Sequence, residues 1–330
     1  MKVAFFSTKS YDKEYFTKFN TDDLHELTFF EVPLNEQTAI LTNGFDALCV
    51  FVNDIINQET IRIIRKNGVK LIALRCAGFN NVDLKTAHDN EIKVVRVPAY
   101  SPESVAEHAT ALILTLNRKT HKAYNRVREG NFSIENLTGF NLFGKTVGVI
   151  GTGLIGASFC KIMLGFGCNV SAYDIRESNE LVAKGVVYKS LDDLLKESEI
   201  ISLHCPLTPE TAHIIDATAI SKMKKGVMII NTSRGALIEA KDAIEGLKSG
   251  KIGYLGVDVY EQEADLFFQD LSESVIQDDV IARLISFPNV LITGHLGFFT
   301  KEALEEIATI TFNNLSSFEN ERELINEVKS

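Results

Sequence analysis

The sequence predicts an α/β protein built on two doubly wound parallel sheets, and three observations carry that expectation. Short apolar runs alternate with helical stretches along almost the whole chain, which is the pattern of a parallel sheet covered by helices on both faces. Between Thr146 and Asp174 a strand–helix–strand unit contains Gly151, Gly153 and Gly156 at G-x-G-x-x-G spacing. At Val97-Pro98-Ala99-Tyr100-Ser101-Pro102 two prolines break the alternation ahead of a long helical stretch, and a domain boundary is expected there. A length of 330 residues also suits two domains.

Before the prolines, Val3–Phe6, Leu27–Val32, Asp46–Val52, Leu71–Arg75 and Lys93–Val97 read as strands. Helical stretches lie near Asp12–Phe19, Thr38–Leu41, Gln58–Lys66 and Asp83–Asn90. The turn Arg75-Cys76-Ala77-Gly78-Phe79-Asn80-Asn81-Val82-Asp83 ends one strand. Ligands in such sheets bind beyond the carboxyl ends of strands, so this turn is a candidate anion site. After the prolines, Ser101 reads as an N-cap and Glu103 to about Glu129 as one helix, since neither Gly nor Pro interrupts it.

The central unit follows. Thr146–Ile150 is an apolar strand, Leu154–Phe166 has helical apolar spacing and stops at Gly167, and Asn169–Tyr173 is a second strand ending on Asp174. Gly151 permits the tight turn, Gly153 lets the backbone approach a pyrophosphate, and Gly156 lets the helix pack close on the strand. Asp174 lies about 20 residues on, where a carboxylate bonds a ribose 2′-OH. Strand, helix, strand and acid agree on a dinucleotide-binding Rossmann unit. The acid favours NAD over NADP, because its charge repels a 2′-phosphate, although nearby Arg176 is of a type that accommodates one. Further strands are expected at Val186–Tyr188, Glu199–Leu203, Val227–Asn231, Tyr254–Val259 (holding Asp258) and Asn289–Thr293. Helices are expected at Leu191–Lys196, Thr218–Lys224, Leu237–Lys248 and Glu302–Phe318, with Gln262–Asp279 acidic and irregular.

Composition narrows the function. Asp plus Glu number 44 against 34 Lys plus Arg, a formal charge of −10 without a basic run. That argues against nucleic acid or anionic membrane as a partner. No apolar run approaches a transmembrane helix, and the N-terminal Val3–Phe6 run is too short for a signal peptide. The scattered, odd-numbered Cys49, Cys76, Cys160, Cys168 and Cys205 read as reduced core thiols, so a cytoplasmic location is expected. No Cys-x-x-Cys and no paired histidine spacing suggests a metal site. Cys205, the one thiol near the expected chemistry, reads as packing because no base stands beside it.

Chemistry concentrates at three strand ends. Arg234 follows Val227–Asn231, Glu263 follows Tyr254–Val259, and His295 follows Asn289–Thr293, all on the edge where the dinucleotide would lie. An arginine fork binds a carboxylate and polarises a neighbouring carbonyl. A histidine gives or takes a hydroxyl proton near neutral pH, and a carboxylate beside it holds its orientation and keeps it protonated longer. These are the parts of a keto-acid reductase. Of the other histidines, His25, His88 and His121 sit in polar or helical surroundings, while His108 and His204 are harder to set aside.

With these stretches in view, the chain resembles the D-isomer-specific 2-hydroxyacid dehydrogenases over nearly its whole length. The resemblance is carried by Val147–Gly156, His204-Cys205-Pro206-Leu207-Thr208, Asn231-Thr232-Ser233-Arg234-Gly235, Asp258-Val259-Tyr260-Glu261-Gln262-Glu263 and Thr293-Gly294-His295. Arg75–Asp83 and Val95–Tyr100 look like the lactate branch of that family. The resemblance implies a Rossmann NAD-binding domain over 101–296 and a discontinuous, flavodoxin-like substrate domain over 1–100 and 297–330, closing over the substrate. It implies that Arg234 binds and polarises the substrate, that Glu263 pairs with His295, and that His295 donates the proton. It implies substrate contacts from Ala77, Gly78, Tyr100 and Phe298. Cofactor contacts are implied for Leu154, Ile155, Asp174, Cys205, Pro206, Thr232, Ser233 and Asp258, beside Gly151, Gly153 and Gly156. The activity implied is reversible hydride transfer between NADH and pyruvate, giving D-lactate, in a homodimer or higher homo-oligomer. A bulkier 2-keto acid is the near alternative. A non-catalytic NAD-sensing protein is the distant one, and the joint presence of Arg234, Glu263 and His295 disfavours it.

Overall fold

The computed structural model describes residues 1–21, 24–263 and 266–329. The chain divides into two compact units, Met1–Ser101 with Phe299–Ser330, and Pro102–Phe298.

In the first unit β1 (Lys2–Phe5), α1 (Ser10–Phe19), β2 (Glu26–Phe29), β3 (Ala47–Val50), α2 (Gln58–Lys66), β4 (Leu71–Leu74), α3 (Leu84–Asp89) and β5 (Lys93–Arg96) follow one another. The sheet order is β2-β1-β3-β4-β5 with every pair parallel, which is the flavodoxin-like order. β3 and β4 are buried along their whole length, as continuous apolar runs in a helix-covered sheet should be. Thr38–Leu41, read as helical, is a single 3₁₀ turn at Ala39–Thr42. The C-terminal helix, Lys301–Glu319, belongs to this unit and buries Ala303, Leu304, Ile307, Ala308, Phe312 and Leu315 along one stripe. Phe312 lies 5.8 Å from Phe16 of α1 and stacks on His25 at 6.1 Å. His25 is buried, and that burial pushes its pKa down.

The carboxyl ends of β1, β3 and β4 gather a buried polar network. Arg75 donates to Asp12 Oδ1 at 3.1 Å and to the Ser7 carbonyl at 3.0 Å, and the Ser7 hydroxyl donates to Asp54 at 2.7 Å. A buried guanidinium needs such partners to offset its desolvation.

The second unit comprises α4 (Pro102–Arg118), α5 (Thr120–Arg128), β6 (Thr146–Ile150), α6 (Leu154–Gly165), β7 (Asn169–Tyr173), α7 (Asn179–Ala183), β8 (Val187–Tyr188), α8 (Leu191–Glu197), β9 (Ile200–Leu203), α9 (Ala217–Lys222), β10 (Val227–Asn231), α10 (Ala240–Lys248), β11 (Ile252–Val257), α11 (Asp279–Ile285) and β12 (Val290–Ile292). Its sheet runs β12-β11-β10-β9-β6-β7-β8, again all parallel, so the order reverses between β6 and β9. α4 and α6 bury Ala106, Ala109, Ile113, Phe159 and Met163 in one apolar layer, while α8 to α11 bury Leu194, Ile220, Ile244 and Leu284 in another.

In the second unit the structure corrects the sequence reading at four places. The long helix is broken at Lys119, which is left-handed at φ 51°, ψ 35°. The segment before β6 passes over the last turn of α4 there: the buried Asn117 side chain donates to the Phe140 carbonyl and accepts from its N–H, both at 2.7 Å. A Cβ on Gly139 would stand 2.7 Å from the Asn117 carbonyl oxygen. Gln262–Asp279 ends in α11, capped by Asp278, which accepts from the Val280 and Ile281 N–H groups; residues 264 and 265 of that stretch lie outside the described residues. Leu237–Lys248 splits into a 3₁₀ turn, Gly235–Leu237, and α10. Asp258 lies just past the end of β11.

Candidate active site

The loop after β6 is shaped by its glycines. Gly151 has φ +91°, and a Cβ there would stand 2.5 Å from the Cys205 backbone nitrogen, so the loops after β6 and β9 touch where the sheet order reverses. A Cβ on Gly156 would lie 2.0 Å from the Gly151 carbonyl oxygen, which is how close α6 packs on its own turn. Beside Gly153 there is open space. α6 begins with neither a side-chain cap nor an acidic residue in its first turn. Its first N–H groups and the positive end of its dipole therefore face an approachable loop, the arrangement that receives a phosphate. Leu154 is exposed and Ile155 half-buried at this start.

Asp174 stands at the end of β7. Its Oδ2 accepts from the Thr152 N–H at 2.6 Å and from the Thr152 hydroxyl, and its Oδ1 accepts from the Arg176 N–H. Burial pushes its pKa up, but these bonds outweigh it and hold the carboxyl below the usual carboxylate range. The loops after β9 and β10 are tied together, since Ser233 Oγ donates to the Cys205 carbonyl at 2.7 Å. Pro206 lies in the first of these loops and Thr232 in the second, where Thr232 Oγ1 is buried without a partner among the described residues. Such an orphaned hydroxyl calls for an explanation. An open glycine edge, an uncapped helix start, an ionised acid and an unmatched hydroxyl on one sheet edge together fit a dinucleotide. Among the described residues no group of His, Cys, Asp and Glu fits a metal ion, and no helix is long and apolar enough to cross a membrane.

In the segments that follow β10, β11 and β12 stand Arg234, Glu263 and His295. His295 Nδ1 lies 3.0 Å from Glu263 Oε1, while Glu263 Oε2 accepts the Tyr260 N–H at 3.1 Å. The carboxylate thus bridges backbone and imidazole, leaving His295 Nε2 as the ring's other nitrogen. Phe268 and Phe298 lie 6.0 and 6.4 Å from the imidazole. The Arg234 guanidinium donates to the Ser233 carbonyl at 2.7 Å and pairs with no carboxylate among the described residues. Ala77 and Gly78 follow β4 in the first unit, where the Ala77 carbonyl accepts from Arg96 and the Gly78 carbonyl from the Cys76 thiol; Tyr100 follows β5.

The model of the D-isomer specific 2-hydroxyacid dehydrogenase NAD-binding domain matches residues 110–297. The D-lactate dehydrogenase of Escherichia coli (strain K12) is 54% identical over 99% of this chain and 100% of its own. This chain belongs to the D-isomer specific 2-hydroxyacid dehydrogenase family. Among solved structures, the apo form of D-lactate dehydrogenase from Escherichia coli superposes with a TM-score of 0.92 at 51% identity, covering 99% of this chain and 100% of that one. The Aquifex aeolicus D-lactate dehydrogenase complexed with NAD and lactic acid gives 0.88 at 35% identity, covering 99% of each. The family's cofactor is NAD, and the second unit contains the matched NAD-binding domain.

Within this family member the less easily read histidines separate. His204 is buried core: its Nε2 lies 2.8 Å from Ser202 Oγ, its ring is 4.9 Å from Phe159, and burial pushes its pKa down to about 3. Cys205 is likewise buried, its thiol pushed up to about 11 by that burial. His108 instead reaches Asp258 and Thr293. Asp258, one residue past β11, is 1% exposed and accepts from Thr293 Oγ1 and the N–H groups of Leu296 and Gly297. Strand-end reading leaves out Thr293 and Gly297; the Thr293-Gly294-His295 run was the available signal for the first.

Proposed function

We propose that the protein is an NAD-dependent D-lactate dehydrogenase that interconverts pyruvate and D-lactate. The observation that carries the reading is a histidine held by a carboxylate at 3.0 Å, on the same sheet edge as an arginine that pairs with no carboxylate among the described residues. Arg234 takes the substrate carboxylate in its planar fork and draws electron density from the adjacent C2 carbonyl. Bound NADH supplies the hydride that goes to C2. His295 gives its Nε2 proton to the oxygen as the hydride arrives, and takes it back from the hydroxyl in the reverse direction. Glu263 holds the ring by Nδ1, so that the other nitrogen faces the reaction. Phe298, 6.4 Å from that ring, narrows the space for the side chain on C2 and supports pyruvate over bulkier acids. Gly151, Gly153, Leu154, Ile155, Gly156, Asp174, Cys205, Pro206, Thr232, Ser233 and Asp258 are the proposed cofactor contacts. The roles of Ala77, Gly78 and Tyr100 in binding substrate rest on the resemblance.

NADH oxidation with pyruvate and a series of longer 2-keto acids tests the proposal, with D- and L-lactate plus NAD in the reverse direction. Pyruvate and D-lactate should give the highest kcat/KM. A branched or longer acid ahead of pyruvate moves the assignment to another 2-hydroxyacid, and no oxidation with any keto acid leaves a non-catalytic NAD-binding protein. The reading places the enzyme in the cytoplasm, in keeping with the buried thiols of Cys49, Cys76, Cys160, Cys168 and Cys205. It also takes the working form as a homodimer or higher homo-oligomer.

A further inference from the structure

Asp258 organises the turn that presents His295. Its backbone carbonyl accepts the His295 N–H at 2.9 Å, and its carboxylate accepts the Leu296 and Gly297 N–H groups at 2.8 and 2.7 Å. One residue therefore gathers three successive N–H groups. His295 itself is left-handed at φ 57°, a conformation that a residue with a Cβ keeps only when its surroundings impose it. A Cβ at Gly297 would stand 3.1 Å from Asp258 Oδ2, so the turn closes tightly on the carboxylate.

The carboxylate is fixed from its other side by Thr293 Oγ1 and by His108 of α4, whose Nε2 lies 3.1 Å from Asp258 Oδ1 and 3.0 Å from Thr293 Oγ1. Burial pushes the Asp258 pKa up, but the bonds from His108, Thr293 and Leu296 outweigh it and hold the group below the usual range. An ionised carboxylate only accepts, so His108 Nε2 carries the proton. His108 is the donor that comes from outside the β11 and β12 loops.

We propose that His108 is a positioning residue for the reaction. By fixing the Asp258 carboxylate it sets the turn 295–297 and the point from which His295 Nε2 meets the substrate oxygen. This rests on the dehydrogenase reading above. A proton donor displaced by about 1 Å loses on the order of 100-fold in rate.

His108→Leu removes the donor at similar volume, and His108→Gln keeps an N–H within reach. In His108→Leu, kcat for pyruvate reduction should fall by about 10- to 100-fold, well beyond the change in NADH affinity read by fluorescence titration without pyruvate, since Asp258 is also a proposed cofactor contact. His108→Gln should recover most of the loss. Amide hydrogen exchange at 295–297 in the cofactor-free protein should quicken in His108→Leu and return in His108→Gln. Thr293→Val cuts the same carboxylate from another residue and should change kcat and exchange in the same direction, which covers a His108→Leu variant that folds poorly. Native kcat and native exchange in His108→Leu overturn the proposal. So does NADH affinity falling in step with kcat, which would make His108 a support of the cofactor site, or a His108→Gln variant no better than His108→Leu. If the native chain reduces no 2-keto acid, the dehydrogenase reading fails, and the exchange rates alone then decide whether His108 sets the turn.

Discussion

A carboxylate at the end of β7 stabilises its own loop, and we propose that it also sorts cofactors. Asp174 accepts the Thr152 N–H and hydroxyl and the Arg176 N–H, which keeps it ionised where a ribose would lie. A fixed negative charge about 4 Å from a 2′-phosphate costs about 1–4 kcal/mol, depending on the effective dielectric. Asp174→Ala should weaken NADH and shift the kcat/KM ratio of NADH to NADPH toward NADPH by about tenfold. An unchanged ratio would remove Asp174 from cofactor selection. The sequence marks this residue because its position follows from the fingerprint. It cannot separate His108 from His204 in the same way. Both are histidines near the expected chemistry, but one meets Ser202 and Phe159 in the core and the other meets Asp258, 150 positions away in sequence. Such pairings are set by packing, which no local pattern encodes.

At the scale of elements, the strands were legible and the helix ends less so. Each strand is a short apolar run bounded by polar or turn residues, so its existence follows from burial alone. The break between α4 and α5 was hidden, because its cause is a tertiary contact between Asn117 and Phe140 and not a Gly or Pro. α11 was missed although Asp278 caps it and Ile281 and Leu284 face the core; its seven residues were too short a pattern beside an acidic, irregular stretch. The contact at the break has a measurable weight. Asn117→Ala leaves the Phe140 N–H and carbonyl without their partner in a part-buried place, at up to about 1–3 kcal/mol for each unmatched group. The urea midpoint should fall accordingly, whereas Asn117→Asp should lose the bond to the Phe140 carbonyl and bury a charge, and should be worse. A midpoint unmoved in Asn117→Ala would show that the break is held by something else.

For the whole molecule, alternation of strands and helices announced parallel sheets, but not the order of strands within them. The reversal between β6 and β9 depends on which strand each helix crosses to, and sequence periodicity is the same for either outcome. What the chain does with its surface follows from a different pattern. α5 buries none of its residues, and the segment it opens exposes Tyr124, Val127, Phe132, Ile134 and Phe143, the last three at 76%, 83% and 80%. Exposed large apolar side chains scattered singly are ordinary, but five within one segment motivate the proposal that it is a surface for association. A helix without a buried residue draws on its own unit chiefly through polar contacts such as Lys122 to the Pro288 carbonyl and Arg126 to the Glu135 carbonyl, and a second copy of the chain packed on it would supply further burial. Sedimentation velocity should therefore give twice the 36.6 kDa chain mass or a higher multiple. Replacing Phe132 and Ile134 together by Glu should shift the distribution toward the single chain while leaving far-UV circular dichroism unchanged, since neither side chain is part of the core. A native protein sedimenting at the single-chain mass would refute the association, and a double variant that keeps the native mass would move the interface elsewhere.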